Sequence, residues 1–318
     1  MANFYGQFIG FGASGVSGAA VSHQQGSLYG YQSGGSPASN IITKFTFASH
    51  GDTSDVGNLT VAVYMPAGSS SPTYGFTNGG YSDSGQVNTI STFAFASDGD
   101  ASDHGDLHSA QSVCGGASSV TYGYTTGGIS DSNVIQKYAF SSNTTGTDVG
   151  NLLSGRRVTD CANSATYGYA LGGNAPNKIT IDKFAFASDG DATDQGDLGN
   201  TGRRPVAAED LDYGYAAGGG DGTETPPGAW ENVIERFAFA STGNSVDVGD
   251  LSRNGWRASG CSSQAGYGYY AGGYIGSYMS GYDQYALVSS GNGTEVGNLA
   301  SPRSTSVHTT SEHTGHQY

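Results

Sequence analysis

Acidic residues recur in short stretches of the sequence and could bind a cation. The carboxylates of Asp98, Asp100 and Asp103 have a spacing that a calcium loop could use, and a second copy lies at 189–194. An acid that persists while its companions vary is typical of a side chain that caps a turn or a backbone amide. We therefore predict a structural role for these acids and no metal site, with calcium binding as the alternative. In the weaker copies the last acid is the one that persists throughout, at Asp55, Asp148, Asp247 and Glu295.

Cysteines and histidines are the other side chains that could carry chemistry. Cys114, Cys161 and Cys261 each lie a few residues before a Tyr-Gly motif, so we expect them to be small buried residues in equivalent places. The sequence contains no nucleophile elbow, HExxH motif or P-loop. We predict neither catalytic residues nor a cofactor. The histidines fall at unrelated positions, although three in the C-terminal tail could ligate a metal in an oligomer: His308, His313 and His316.

The segments that must position these residues are repeats. The stretch FAFASDGDATDQGDL at 184–198 nearly duplicates FAFASDGDASDHGDL at 93–107. A period of roughly 45 to 53 residues is typical of propeller blades or solenoid units. Six copies of differing strength begin at Phe45, Phe93, Tyr138, Phe184, Phe237 and Tyr285. A second motif, YG[YF]xxGG, runs in phase and begins at Tyr29, Tyr74, Tyr122, Tyr167, Tyr213 and Tyr267.

Each repeat predicts four β-strands. In the fourth repeat these are VTDCANSA, TYGYALGG, KITIDKFAFAS and ATDQGDL, joined by turns rich in Gly and Asp. Phe184 and Phe186 alternate with smaller or polar residues, and Gly172-Gly173 ends the second strand. No amphipathic helical period is present. We predict an all-β propeller of four-stranded blades, because each blade must cover both faces with its neighbours.

The two ends of the chain predict how the ring closes. Six repeats leave a short head, NFYGQFIGFG, and a tail, PRSTSVHTTSEHTGHQY, which resemble parts of a blade. We predict one domain over 1–318 with seven blades, the last one a composite of both termini. Six blades are the alternative. In either case we expect the segment 1–16 to close the ring or to dock to another protein of the same assembly.

Composition limits the partners. The net charge is −15 and Lys and Arg together number only 12. Binding to a nucleic-acid backbone needs clustered cations, so we exclude nucleic acid, and anionic membrane surfaces are disfavoured for the same reason. The sequence has no secretory signal and no apolar run of membrane-spanning length. We expect a soluble product that folds in the cytoplasm of the cell that makes it.

The repeat motifs resemble those of known families. The double glycine, the aromatic in the third strand and the arginines of GRRVTD, GRRPVA, GWRASG and SPRSTS resemble kelch repeats, without the usual fourth-strand Trp. The FAFASDGDATD and YGYxxGG patterns are more closely similar to tandem-repeat virion proteins of tailed phages that infect marine cyanobacteria. This resemblance covers about 17–318 and implies a component of the phage particle. Galactose oxidases also have a kelch-like propeller, but the histidines here do not converge as their copper site requires.

Aromatic side chains predict a binding face. The connections from second to third strand and from fourth to first strand lie on one face of the disk. On that face the fifth repeat has an enlarged segment, GDGTETPPGAWENV, and the next repeat has GGYIGSYMSGYDQY. Exposed aromatics on such loops are suited to stacking on sugars or anchoring a protein partner; the alternative is that they seal adjacent blades. The candidate ligand-binding residues are Trp230, Trp256, Arg257, Tyr274 and Tyr278.

The functional prediction follows from the repeats and this face. We predict a non-enzymatic virion structural protein, a tail- or fibre-associated propeller that contacts the host cell surface through glycans. The alternative is a capsid decoration or vertex protein attached by protein–protein contacts. The expected partners are other virion proteins and a host glycan or receptor, without nucleic acid or membrane insertion. The protein would be assembled in the host cytoplasm and act outside the cell as part of the virion.

Overall fold

The structure, a computed structural model, consists of antiparallel sheets. It describes residues 26, 28–157, 160–174, 178–199, 205–220, 230–255 and 257–302. Within these ranges the chain forms β-strands and one short 3-10 turn at Ile129–Asp131, without any α-helix. None of the described elements is a helix with the length and apolar character needed to cross a bilayer. The predicted all-β class is confirmed.

The strands form six sheets in chain order, and we call these sheets blades one to six. Blade one has three described strands, β1 (Tyr29–Ser33), β2 (Ser39–Thr46) and β3 (Ser54–Val63). Blade two contains β4 (Ala67–Ser70), β5 (Tyr74–Asn78), β8 (Thr89–Ala94) and β9 (Ser102–Asp106), with a separate hairpin of β6 (Tyr81–Ser82) and β7 (Gly85–Gln86). Blade three contains β10 (Gly115–Ser118), β11 (Tyr122–Thr126), β12 (Val134–Ala139) and β13 (Thr147–Asn151).

The remaining three blades repeat the same four-stranded order. Blade four contains β14 (Asp160–Asn163), β15 (Tyr167–Gly173), β16 (Lys178–Ala185) and β17 (Thr193–Asp197). Blade five contains β18 (Val206–Glu209), β19 (Tyr213–Gly220), β20 (Trp230–Ala238) and β21 (Val246–Asp250). Blade six contains β22 (Ser259–Ser263), β23 (Tyr267–Ala271), β24 (Gly281–Ala286) and β25 (Thr294–Asn298).

The ring closes with six blades, so the prediction of seven is wrong. Blade six packs directly on blade one, because the Tyr269 ring lies 5.2 Å from Phe45 and 5.0 Å from Phe47. The Tyr282 hydroxyl donates to the Gly51 carbonyl at 2.7 Å across the same junction. These contacts leave no space for another blade between the sixth and the first. The two terminal segments on which the seventh blade depended, 1–16 and the tail from 303, lie outside the described residues.

Glycine in the YG motif lets the second strand lie against a large ring of the third. Gly168 pairs with Phe184 in the register of β15 and β16. A methyl group at Gly168 would lie 2.3 Å from the Phe184 ring. The same glycine–aromatic pairing occurs in all six blades, so the motif packs the middle of each sheet.

The hydrophobic core lies between blades. The buried Tyr124 of blade three packs against two rings of the next blade, Phe184 at 5.6 Å and Phe186 at 5.0 Å. Equivalent clusters join every pair of neighbours around the ring. A blade therefore buries its aromatics only when the next blade is present, as expected for repeat proteins.

The duplicated acidic stretch is the joint between neighbouring blades. The turn of blade four crosses the last strand of blade three, where Asp191 Oδ1 accepts hydrogen bonds from the Asn151 backbone and side chain at 2.9 and 3.1 Å. Gly150 makes this approach possible, because a methyl group there would lie 2.2 Å from the Gly190 carbonyl oxygen. Blades two, five, six and one use the same contact through Asp100, Asn244, Asn292 and Asp52.

Polar side chains of the first strands join the blades near the centre of the ring. Ser118 Oγ accepts from the Ser70 amide, and the Ser118 amide donates to Asn163 Oδ1. Glu209 is buried on β18, and Asp160 on the neighbouring β14 is buried as well. Burial and, to a smaller extent, the negative charge of Asp160 together raise the pKa of Glu209 to about 8.

Two faces of the disk follow from the antiparallel order. The BC face carries the connections between second and third strands, such as 34–38 and 272–280, and those between blades, such as 251–255 with 257–258. The CD face carries the connections between third and fourth strands, such as 47–53 and 140–146. The double glycines turn the chain onto the BC face with positive φ, for example 53° at Gly172 and 140° at Gly173. A residue with a side chain is strained at positive φ, which explains why glycine ends the second strand.

Candidate functional site

Three of the five predicted ligand-binding residues form one aromatic cluster on the BC face. The Trp230 ring lies 6.3 Å from that of Tyr274, and the Tyr274 ring lies 5.6 Å from that of Tyr278. Both pairs are edge-to-face, with interplanar angles of 70° and 65°. Such pairs are favourable and hold the rings in fixed relative orientations. Trp230 and Tyr274 are half-buried, whereas Tyr278 is 41% exposed.

The connection of blade six that carries Tyr274 and Tyr278 is held by its own hydrogen bonds. The two tyrosines form an isolated antiparallel bridge, and the Ile275 amide donates to the Ser277 carbonyl at 3.2 Å. The buried Met279 closes the loop, and its amide donates to the Gly273 carbonyl at 3.0 Å. The exposed tip therefore has an apolar side chain, Ile275, next to the two phenol rings.

Blade one contributes a residue that the sequence did not indicate. Ser36 Oγ lies 3.2 Å from the Tyr278 hydroxyl, so the cluster runs from blade five through blade six to blade one. Beside Ser36 is a depression of about 220 Å³ lined by the segments 35–39 and 301–302 and by Ile41. The prediction of a seventh blade placed another element between Tyr278 and Ser36. With six blades the two residues become neighbours.

The other two predicted residues belong to the connection between blades five and six. Arg257 lies on the BC face, is half-buried and has a left-handed backbone with φ of 60°. A non-glycine residue with this backbone is uncommon and is found at constrained sites. Trp256 lies outside the described residues. The prediction that Arg257 and Trp256 bind a ligand together with the three rings stays a prediction.

The acids of the duplicated stretch engage separate partners. Lys44 Nζ donates to Asp98 at 2.5 Å, Asp100 accepts from the last strand of blade one, and Asp103 Oδ1 accepts from the Gly105 amide at 2.7 Å. The last acid binds the amide two residues later in other blades as well, as at Asp148 and Asp194. These bonds confirm the capping interpretation. In the described part of the chain, no three His, Cys, Asp or Glu residues are grouped to hold a metal ion.

The cysteines and histidines are dispersed in the fold. Cys114, Cys161 and Cys261 are free thiols and all are buried, as predicted. Burial raises the pKa of Cys114 to about 12, so its thiolate is scarce at neutral pH. His50 and His104 lie in blades one and two at different repeat positions. The tail histidines His308, His313 and His316 lie outside the described residues.

Comparison with known proteins supports the fold and no finer assignment. No family model matches the sequence. The search of curated proteins finds no match either. Among solved structures, that of YjhT is similar to this chain, with a TM-score of 0.58 and 11% sequence identity over 77% of this chain and 87% of that chain. A likeness at this identity establishes the fold alone. The chain is a β-propeller.

Proposed function

We propose that this propeller is a non-enzymatic structural protein of a tailed-phage virion, associated with the tail or a fibre, and that its BC face contacts glycans on the host cell. It would be assembled in the host cytoplasm among other virion proteins and would act outside the cell. The virion assignment is supported by the resemblance of the phased repeats to those of cyanophage structural proteins. The glycan contact is supported by the aromatic cluster on the BC face.

The observation that carries the glycan proposal is the series of rings Trp230, Tyr274 and Tyr278. Aromatic faces bind the apolar face of a sugar ring, while phenol and serine hydroxyls can bond to its hydroxyl groups. Tyr278 and Ser36 place two such hydroxyls 3.2 Å apart at the exposed end of the series. A row of three rings on two blades, continued by the Ser36 hydroxyl of blade one, is suited to successive units of an oligosaccharide.

The charge of the protein favours a neutral partner over a polyanion. With a net charge of −15, the chain would repel nucleic acid and anionic lipid surfaces. The aromatic cluster itself consists of neutral side chains. A neutral glycan is attracted by stacking and hydrogen bonds, both of which act at short range whatever the net charge.

The absence of an enzymatic role is part of the proposal. Fold alone does not define activity, so the argument depends on the site. The buried cysteines, the dispersed histidines of the described blades and the acids already bonded as caps support a binding protein. The capsid decoration alternative uses the same aromatic cluster, occluded against a neighbouring virion protein.

The test is glycan-array binding by the purified full chain and its variants. Trp230→Ala and Tyr278→Ala are expected to reduce binding at least tenfold. The matched control is Tyr81→Ala, which removes another BC-face ring, one packed 5.3 Å from Tyr64 in blade two. Equal binding by wild type and both cluster variants, or no binding to any glycan, would overturn the proposal.

Localisation in the particle distinguishes the two virion roles. Cryo-electron microscopy of intact particles should show the propeller at the tail with Trp230 and Tyr278 facing solvent. A propeller lying on the capsid with this cluster covered by another protein would refute host contact and favour decoration.

A further inference from the structure

The CD face, opposite the aromatic cluster, carries a ring of six tyrosines. Each is the first residue of a YG motif. In four blades a cation from the third strand of the same blade lies over the tyrosine ring. Cation–π contacts of this kind cover one face of each ring. The pairs are Lys44 over Tyr29 at 4.8 Å, Lys137 over Tyr122 at 5.1 Å, Lys183 over Tyr167 at 4.7 Å and Arg236 over Tyr213 at 4.4 Å.

In two of these blades an acid from the next blade fixes the cation. Lys44 pairs with Asp98 at 2.5 Å, and Lys137 pairs with Asp189. Tyrosine, lysine and aspartate together occupy the groove between neighbouring blades on this face. The groove between blades one and two, and that between blades three and four, are filled by the protein itself.

The groove between blades two and three has lost both charges. Thr92 takes the place of the lysine on the third strand. In blade three Lys137 pairs with Tyr124, and at the same position of blade two Thr92 pairs with Phe76. Asn143 takes the place of the aspartate, two residues after Ser141 in the turn of blade three. Tyr74 is the most exposed of the six tyrosines, at 45%.

This groove has the size and lining of a small-ligand site. Its volume is about 330 Å³, at the lower end of the range for ligand pockets. Aromatic rings of Tyr74 and Phe140 line it together with hydroxyl and amide groups from both blades. His104 also lines it and its Nε2 lies 2.9 Å from the Ala139 carbonyl, so Nε2 carries the proton and Nδ1 is the acceptor in the neutral ring. The polar lining residues are Thr92, Ser102, Ser141, Ser142 and Asn143.

We propose that this groove binds one neutral pyranose unit, stacked on Tyr74 and bonded to the surrounding hydroxyl and amide groups. A cationic ligand is disfavoured, because Asn143 stands where the repeats that hold a cation in an ion pair have aspartate. An anionic ligand is disfavoured, because Thr92 replaces the lysine. An apolar ligand is disfavoured, because it offers no hydrogen bonds to the lining hydroxyl and amide groups of Thr92, Ser142 and Asn143, whose bonds within the protein are long, at 3.4–3.5 Å. The site is on the opposite face from the Trp230 cluster and does not depend on it.

The test restores the ion pair that the other repeats contain. The double variant Thr92→Lys/Asn143→Asp should fill the groove as Lys137 and Asp189 do between blades three and four, without changing the net charge. The matched control is Thr242→Asp, which adds an acid beside Lys183 in the equivalent groove between blades four and five. That groove has a volume of about 260 Å³ and is lined by Tyr167 and Phe239.

Binding is measured on the full chain by saturation-transfer NMR with the methyl glycosides of glucose, galactose and mannose and with N-acetylglucosamine. We expect at least one sugar to bind, its affinity to fall at least tenfold in the double variant, and the control to match wild type. Tyr74→Ala provides a second variant, read with the same sugars, if the double variant fails to show the wild-type thermal transition.

Several outcomes would overturn the inference. These are the absence of binding by all four sugars, unchanged binding in both groove variants, and displacement of the sugar by methylammonium, which would indicate a cation site. Trp230→Ala separates this inference from the proposed function. Loss of the signal in Trp230→Ala alone would assign the sugar to the BC face and refute the groove.

Discussion

Alanine substitution of two glycines, Gly150 and Gly190, can test whether the close approach of neighbouring blades requires glycine. Gly150 and Gly190 have nearly the same φ, 154° and 152°. A methyl group at Gly150 would lie 2.2 Å from the Gly190 carbonyl oxygen, whereas one at Gly190 would have nothing within 4 Å. Alanine at either site therefore incurs the same backbone strain, and only Gly150→Ala also forces blades three and four apart.

The expected magnitudes separate the two variants. Backbone strain of a non-glycine residue in this region costs on the order of 1–3 kcal/mol. Overpacking adds typically about 1–3 kcal/mol, because a tight interface must shift to admit the methyl group. Gly150→Ala is thus expected to lower the free energy of unfolding by about 1–3 kcal/mol more than Gly190→Ala does.

Urea unfolding of the purified full chain gives the comparison, with the midpoint followed by both fluorescence and circular dichroism. Coincident transitions by the two probes justify a two-state treatment. Gly57→Ala and Gly99→Ala repeat the experiment between blades one and two, where the same methyl group would lie 2.1 Å from the Gly99 carbonyl oxygen. Equal destabilisation within each pair would refute the argument that the crossing turn, and not backbone conformation, requires glycine in the last strand.

Three further predictions concern buried and interblade polar groups. Burial raises the pKa of Glu209 from 4.5 to about 8, so its contribution to stability is complete below pH 4.5 and is lost as the pH rises through 8. In urea unfolding, the free energy of unfolding of Glu209→Gln should match that of wild type at pH 4.5 and exceed it at pH 9. Equal pH profiles for the two proteins would contradict this. Asp191→Ala removes two hydrogen bonds to Asn151 and should cost about 0.5–1.5 kcal/mol for each bond lost, whereas an unchanged midpoint would show that the turn does not clamp the strand. Arg156 Nη2 lies 3.0 Å from Asp182 Oδ1, and both side chains are fully buried. Asp182→Asn removes the counter-charge of Arg156 and should lower the free energy of unfolding by about 3–5 kcal/mol. A loss below 1 kcal/mol in thermal unfolding would refute the role of this pair.

Much of the blade could be predicted because its signals are local. Alternation in TYGYALGG and KITIDKFAFAS indicated two middle strands, and the structure has them as β15 and β16. The persistent acid at Asp148 or Asp194 caps an amide two residues away, a contact within one turn. Tyr274 and Tyr278 could be placed on one loop with Trp230 nearby, since antiparallel order assigns each connection to a face. Periodicity and turn chemistry determine such features within a single repeat.

Other features required the assembled ring. The partner of Asp191 is Asn151 in the preceding repeat. The spacing alone does not indicate that Asp189 binds a lysine of the preceding blade while Asp191 binds the last strand of that blade. The sequence motif also did not distinguish the groove at Tyr74 from the filled ones. That difference depends on Thr92 and Asn143, which lie on different blades and become a pair only after the blades dock.

The sequence by itself determined the repeat, the four strands of each blade, the all-β class and the residues that each strand contributes to its two faces. Tertiary structure alone decided that six blades close the ring, which joins Ser36 to Tyr278, and that Thr92 and Asn143 line one groove on the CD face. The physical reason is that local hydrogen bonds and side-chain alternation fix a strand and its turn. The number of blades depends on the angle at which one aromatic interface follows another, a property of packing between segments about 48 residues apart.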